Sequence, residues 1–209
     1  MTSNMYTDTH DQKNFNLLAN RGVISLGDTV VDVGACQGVY THMFSTLLGA
    51  TGKIHAIELF PPNFGYLEMR FGHIENIEFH NVAISDKDGG AESIYISDDK
   101  VEMVGIVEAN GTKIGEAKSV TLDTLLKDEG EISLVKIDVE GAELKVLHGM
   151  KETIKRTKAI LIEVHFDEIW PEIRKILIED NGFTCYNVEK EETLDMDSSR
   201  PYQCLCVKE

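Results

Sequence analysis

The sequence predicts an α/β protein: one domain built on a mostly parallel seven-stranded sheet, with helices on both faces and a C-terminal antiparallel hairpin. Three observations carry this reading. Short β-rich apolar runs alternate with stretches of helical pattern along the chain. A glycine loop, Gly34 to Gly38, follows the first of those runs directly. The last two runs are joined by a short acidic loop without a helix pattern, too short for a parallel crossover.

Phe15 to Ala19 reads as a short helix within an N-terminal covering segment, residues 1–28. Thr29 to Val33 is the first buried strand, and a helix over Val39 to Leu48 follows the glycine loop. Lys53 to Leu59 is the second strand; Pro61 and Pro62 then start a helix running over Asn63 to Phe71. Ile77 to Val82 is the third strand. Residues 86–118 read as irregular, with a hairpin at Ile94 to Ile96 and a glycine-bearing part, Asp98 to Lys118, expected to be a mobile flap on the ligand side. The fourth strand, Leu134 to Val139, leads through Gly141 into a helix around Glu143 to Leu147. Ala159 to Val164 is so apolar that it should be central. A helix from Ile169 to Glu179 should stop at Asn181-Gly182, and Phe183 to Val188 and Tyr202 to Val207 make the closing hairpin.

The 209 residues suit a single domain spanning 1–209, and the 42% apolar content is ordinary for a globular core. No run approaches the roughly 18 apolar residues of a membrane span. Met1 to Asp11 lacks an apolar core, so no secretory signal is expected. The net charge of −16, with no cluster of Lys and Arg, speaks against nucleic acid or anionic membrane as partners and leaves a small molecule. Cys36, Cys185, Cys204 and Cys206 do not suggest a disulfide scaffold in a chain of this size. The last three are read as buried thiols, with a metal site the less favoured alternative, and a reducing cytoplasm is the expected compartment.

In open α/β sheets ligands bind beyond the carboxyl ends of the strands, beside the first one. Asp32-Val33-Gly34-Ala35-Cys36-Gln37-Gly38 stands there, and Glu58 closes the second strand, placed to accept hydrogen bonds from ribose hydroxyls. A dinucleotide site wants G-x-G-x-x-G to seat its pyrophosphate; here Cys36 stands where the middle glycine would fall. Asp32 is a poor neighbour for a pyrophosphate and a good one for a cation. S-adenosylmethionine carries an ammonium and a sulfonium and no phosphate, so the loop chemistry favours it over a nicotinamide or flavin.

Val-Val-Asp-Val-Gly-Ala at 30–35, Asn-Val-Ala-Ile-Ser-Asp at 81–86 and Leu-Asp-Thr-Leu-Leu at 122–126 occur in that order. Val-Lys-Ile-Asp-Val-Glu-Gly-Ala-Glu-Leu at 135–144 and Leu-Ile-Glu-Val-His at 161–165 follow them. Together these resemble the FkbM-type methyltransferases, a branch of the Rossmann-like class I methyltransferase fold whose members often act on hydroxyl groups of polyketides and sugars. The resemblance covers roughly two-thirds of the chain, Thr29 to His165. It implies cofactor contacts at Asp32, Gly34, Ala35, Gly38, Glu58 and Ala83, with Asp138 facing the reaction centre. Two departures stand out: Cys36 where the family usually has Asn, and Leu59-Phe60-Pro61 where Pro usually follows the ribose-binding Glu directly.

Methyl transfer to an alcohol needs alignment and a proton acceptor. Asp138 and Glu140 follow the fourth strand, and Glu163 and His165 end the fifth, so all four are expected to reach one crevice. Asp138 and His165 are the expected catalytic pair, with Glu163 orienting the histidine and Glu140 capping the helix begun at Gly141. His165 as base should titrate somewhat above the reference value of about 6.5. The same carboxylates and histidine could instead hold a hard divalent cation such as Mg²⁺. Two other functions fit the sheet less well. An NAD(P)-dependent oxidoreductase or epimerase would want the missing glycine and a Tyr-x-x-x-Lys relay; a non-catalytic ligand-binding protein would show erosion at the strand ends that are richest here.

Overall fold

The computed structural model describes residues 9–97, 104–107 and 111–208. Helix α1 (Thr9–Asn20) precedes β1 (Thr29–Val33), α2 (Val39–Leu48), β2 (Lys53–Ile57), α3 (Pro61–Phe71), β3 (Ile77–His80) and the short β4 (Ala83–Ile84). Then come β5 (Ala91–Ser97), β6 (Val104–Gly105), β7 (Gly111–Val120), α4 (Leu122–Leu125), β8 (Ile132–Ile137) and α5 (Glu143–His148). The chain closes with β9 (Thr157–Glu163), α6 (Trp170–Arg174), β10 (Thr184–Asn187), β11 (Glu192–Leu194) and β12 (Gln203–Val207). The α/β class and the parallel centre are as the sequence predicts. β3-β2-β1-β8-β9 run parallel, and β12, antiparallel to β9, separates it from β10.

The core strands read as continuous apolar runs because both faces are covered. Along β1, β8 and β9, Val31, Val33, Val135, Ile137, Ile160 and Ile162 pack on one face with Val146, Leu147, Trp170 and Ile173 of α5 and α6. Their alternates Val30, Leu134, Ala159 and Leu161 pack on the other with Leu18 of α1, Phe44 and Leu48 of α2 and Leu67 of α3. Each such fully buried Val, Leu or Ile contributes about 1.5–3 kcal/mol. Among the described residues no helix is long and apolar enough to cross a membrane.

Four expectations need correction. The main sheet has eight strands, because the acidic joining loop adds β11 to the edge against β10; β10 and β12 pair antiparallel as expected. The irregular stretch after β3 instead builds a second, four-stranded sheet in the order β4-β7-β5-β6. Residues 98–103 and 108–110 of the expected flap lie outside the described residues. The third strand stops at His80, where Asn81 Nδ2 donates to the carbonyls of Glu58 (2.7 Å) and Leu59 (3.2 Å). Those bonds hold the chain at the sheet's carboxyl edge as it leaves for β4. Finally, Cys185 and Cys206 face each other across β10 and β12 and are disulfide-bonded, so Cys204 alone of the three remains a buried thiol. Two of the three sulfurs are thus engaged with each other and not as thiolate ligands. The helix after Ile169 ends as expected at Gly182, which takes a φ of 68°.

Candidate active site

A cleft of about 130 Å³ opens beyond the carboxyl ends of β1, β2 and β8, lined by Gly34, Cys36, Glu58, Asn63, Asp138 and Glu140 with an apolar wall of Ile57, Val82, Ile84 and Val104. β6, from the second sheet, forms its roof: a Cβ at Gly105 would lie 3.1 Å from Glu140 Cβ.

The two loop glycines do different work. Gly34 has a φ of 79°, and a Cβ there would sit 1.8 Å from the carbonyl oxygen of Asp138, so only glycine lets β1 and β8 end side by side at the cleft floor. Gly38 does not line the cleft; a Cβ there would meet Phe71 Cε2 at 2.3 Å, so it allows α2 to start against α3. Ala35 is likewise buried behind the loop, its amide bonded to the Ile57 carbonyl at 2.9 Å.

Glu58 stands in the cleft wall with each carboxylate oxygen already engaged. Oε2 accepts from the Cys36 amide (2.9 Å) and Oε1 from the Phe60 amide (2.7 Å). Each oxygen keeps a further lone pair, the capacity a ribose diol needs. Burial raises its pKa above the ordinary glutamate value, only partly opposed by those two amides.

Asp32 lies beneath the cleft and is fully buried. Its Oδ2 accepts from Thr41 Oγ1 at 2.7 Å, and Oδ1 lies 3.5 Å from the ammonium of buried Lys136. The cation that Asp32 was expected to attract is thus supplied by the chain itself. Lys136 also reaches Asp138 Oδ2 (3.3 Å) and donates to the Gly34 carbonyl (3.0 Å), so one buried charge ties β1, β8 and the glycine loop together. Burial opposes its charge, but Asp138 and Asp32 outweigh that and hold it above the ordinary lysine value.

Four carboxylates, Asp138 and Glu140 among them, converge on one imidazole. His165 Nδ1 is 2.8 Å from Glu143 Oε1, a fully buried carboxylate that also accepts from the Gly141 amide at 2.9 Å. His165 Nε2 faces Glu140 Oε2 (3.1 Å), Glu163 Oε1 (3.2 Å) and Asp138 Oδ1 (3.9 Å). Burial alone would lower the histidine pKa; Glu140, Glu143 and Glu163 overcome it and push it up to about 12. The carboxylates around the ring therefore favour its protonated form, a shift in the expected direction and larger than expected. A second correction concerns the turn: Glu143, not Glu140, bonds the Gly141 amide, and Glu140 takes a φ of 53° that turns it toward His165.

The expected residues thus fall into three groups. Gly34, Glu58 and Asp138 line the cleft; Glu163 and His165 stand directly behind Asp138; Asp32, Ala35, Gly38 and Ala83 lie under or beside the wall. Ala83 packs with Ile94, Ile106, Ala117 and Ala142, while its neighbours Val82 and Ile84 face the cleft. Lys136 and Glu143 are the functional side chains missed. A lysine inside the apolar run Leu134–Ile137 was the signal, since such a charge needs a buried partner. Asp138, Glu163 and His165 offer ligand atoms within 4.8 Å of one another, enough to surround one cation. No lysine or arginine lines the cleft among the described residues, so a pyrophosphate would find no counter-charge there, whereas a sulfonium and an ammonium suit its acidic wall.

Comparison with known proteins bears on this site. The family model described as the methyltransferase FkbM domain matches residues 32–185. A hexuronic acid methyltransferase, AglP of Haloferax volcanii, is 36% identical over 81 residues, covering 35% of this chain and 34% of that protein. The matched segment therefore spans about a third of that relative's length. A methyltransferase FkbM from Methylobacillus flagellatus superposes with a TM-score of 0.58 at 16% identity, over 93% of this chain and 47% of that one. A precorrin-6y C5,15-methyltransferase from Geobacter metallireducens gives a TM-score of 0.55 at 15% identity, over 100% and 93%. At such identities the solved structures speak for the fold alone.

Proposed function

Because the chain belongs to the FkbM methyltransferase family, we propose that it methylates a hydroxyl group of a small sugar-like or polyketide-like acceptor, using S-adenosylmethionine. The bound cofactor supplies an electrophilic methyl group. Glu58 would hold the ribose hydroxyls, Gly34 would let the ligand lie close to the backbone, and Ile57, Val82 and Ile84 would wall its apolar part. Asp32 acts as a positioning residue: by fixing Lys136 it fixes the Gly34 carbonyl and Asp138.

The observation that carries the hydroxyl reading is the surplus of carboxylates where the acceptor would sit. A carboxylate acceptor needs no proton acceptor and would be repelled there. A hydroxyl is neutral and must lose its proton as the new bond forms. Asp138 lines the cleft and takes that proton; His165 and Glu163 do not line it and act through Asp138 by fixing its charge and orientation. The curated relative is named for a hexuronic acid, a sugar with both hydroxyls and a carboxylate, which makes sugars and uronides the first acceptors to test.

A second reading has one specific observation in its favour. His165 is held at Nδ1 by a buried carboxylate while Nε2 meets Asp138 and Glu163, the arrangement that orients histidine toward a metal ion. A Mg²⁺ ion held there would bind the acceptor oxygen in place of the imidazolium proton's charge.

Methyl-labelled cofactor incubated with a panel of sugars, uronides and polyols tests the proposal. The label should enter an acceptor as an ether that survives mild alkali. Label released as methanol would mean an ester, and the hydroxyl assignment would fall. Chelator followed by Mg²⁺ separates the two readings: activity lost and then restored selects the metal, and unchanged activity selects the imidazolium.

A further inference from the structure

A second cluster of metal-ligating side chains lies away from the cleft, where β3 forms the free edge of the main sheet. Parallel register places His55 of β2 opposite Glu78 of β3, and His80 follows on the same face two residues later. His55 Nδ1 lies 3.1 Å from His80 Nε2 and 3.5 Å from Glu78 Oε2. Two ligands bound tetrahedrally to one Zn²⁺ at about 2.0–2.1 Å stand roughly 3.3 Å apart. The two observed separations bracket that value.

The tautomer of His55 strengthens the reading. His55 is 2% exposed, and its Nε2 makes no hydrogen bond although Glu129 Oε1 stands 3.2 Å away. With Nε2 unprotonated, a buried lone pair would oppose a carboxylate, so the proton belongs on Nε2. That leaves the Nδ1 lone pair facing both His80 and a carboxylate oxygen. A simple imidazole–imidazole hydrogen bond explains the first contact but not the second; a cation between them explains both. Carboxylate, histidine and metal in line is the usual way a ligating histidine is oriented. Lys53 shares Glu129 Oε1 with His55 Nε2, at 2.5 Å, but leaves the ligand atoms open: it sits 3.0 Å from Glu78 Oε1, so Glu78 Oε2 stays turned to the histidine.

We propose that His55, His80 and Glu78 bind a borderline divalent metal ion such as Zn²⁺, with Glu129 orienting His55, and that the ion clamps edge strand β3 to β2. Two imidazoles and one carboxylate favour Zn²⁺, Co²⁺, Ni²⁺ or Cu²⁺ over Mg²⁺ or Ca²⁺. Binding needs the His80 Nε2 lone pair, so the proton on that nitrogen leaves as His80 Nδ1 takes one up from solvent, and both rings ligate as neutral imidazoles. The clamp is independent of methyl transfer, so it stands or falls apart from the proposed activity.

The test is calorimetric titration of Zn²⁺ into the full chain stripped of metal, with thermal melting alongside. Glu163→Gln serves as a parallel background that weakens the cluster behind the cleft. Saturable binding of one ion should persist in Glu163→Gln and raise the melting temperature. His80→Asn and Glu78→Gln, at a half-buried and an exposed position where no core packing is removed, should each weaken binding at least about tenfold, and Glu129→Gln by about 10- to 100-fold. Absence of saturable Zn²⁺ binding would overturn the site. So would binding that vanishes in Glu163→Gln and is untouched by His80→Asn.

Discussion

The two halves of the cleft treat negative charge in opposite ways. On the β1–β2 side two carboxylates meet four donors of the chain: Asp32 has Thr41 and Lys136, although its Oδ1, 3.5 Å from that ammonium, makes no hydrogen bond, and Glu58 has two backbone amides. At the ends of β8 and β9, Asp138, Glu140, Glu143 and Glu163 share one imidazole, and Glu140 Oε2 and Glu143 Oε2 are left without a hydrogen bond. The first half has as many donors as carboxylate oxygens before any ligand arrives, which suits a cofactor held by shape and by a few spare lone pairs. The second carries more acceptors than donors, and a buried acceptor without a donor costs about 1–3 kcal/mol. That unanswered capacity is what an acceptor hydroxyl, bringing a proton, can use.

The largest effect should come from breaking the better-matched half. Lys136→Met leaves Asp32 buried with no cation, a loss of about 3–5 kcal/mol in urea unfolding. Adding Asp32→Asn should recover much of it, because the uncompensated charge is then gone. A loss below about 1 kcal/mol in the single variant would mean the pair is not what joins β1 to β8. Next in size, Glu58→Gln should weaken binding of the demethylated cofactor by about 1–3 kcal/mol in calorimetry. Unchanged affinity would remove Glu58 from the cofactor wall.

The smallest effect is a pH dependence carried by the same glutamate. Burial raises the Glu58 pKa in the folded chain, so the folded state holds its proton longer than the unfolded state does. Its contribution to stability is therefore full below the ordinary carboxylate value and declines as pH rises through the folded value. Glu58→Gln should lack that decline, so the variant should gain on the wild type as pH climbs from acid to neutral. A parallel pair of pH–stability curves would contradict it. A residue that costs stability at neutral pH yet supports binding is the usual mark of a site kept for function.

What the sequence revealed and what it hid divide along the same physical line. The parallel strands were legible because burial on both faces writes an unbroken apolar run, as in Ala159–Val164. Gly34 was legible because few roles other than a tight turn call for glycine there. The second sheet was hidden because β7 is polar and half of its residues are exposed, with three glycines nearby and a register shift between Ile94 and Tyr95. β11 was hidden by its acidic composition. The partner of Asp32 was out of reach for another reason: Asp32 and Lys136 are paired only by the β1–β8 register, which no local pattern encodes. The cofactor wall shows the limit at single-residue scale. The motif pointed to Ala83, but the pleat turns Val82 and Ile84 to the cleft and Ala83 to the core behind it.

Asp138 joins the two halves, since it pairs with Lys136 on one side and faces His165 on the other. Asp138→Asn keeps the shape and removes the proton acceptor. Turnover with a labelled acceptor and affinity for the demethylated cofactor, measured on the same preparation, test its assignment. Turnover should fall by about 10²–10⁴ while affinity changes less than about tenfold. Full turnover in Asp138→Asn, or a loss of turnover matched by an equal loss of affinity, would contradict the role given to Asp138 and with it the division of the cleft into a binding half and a reacting half.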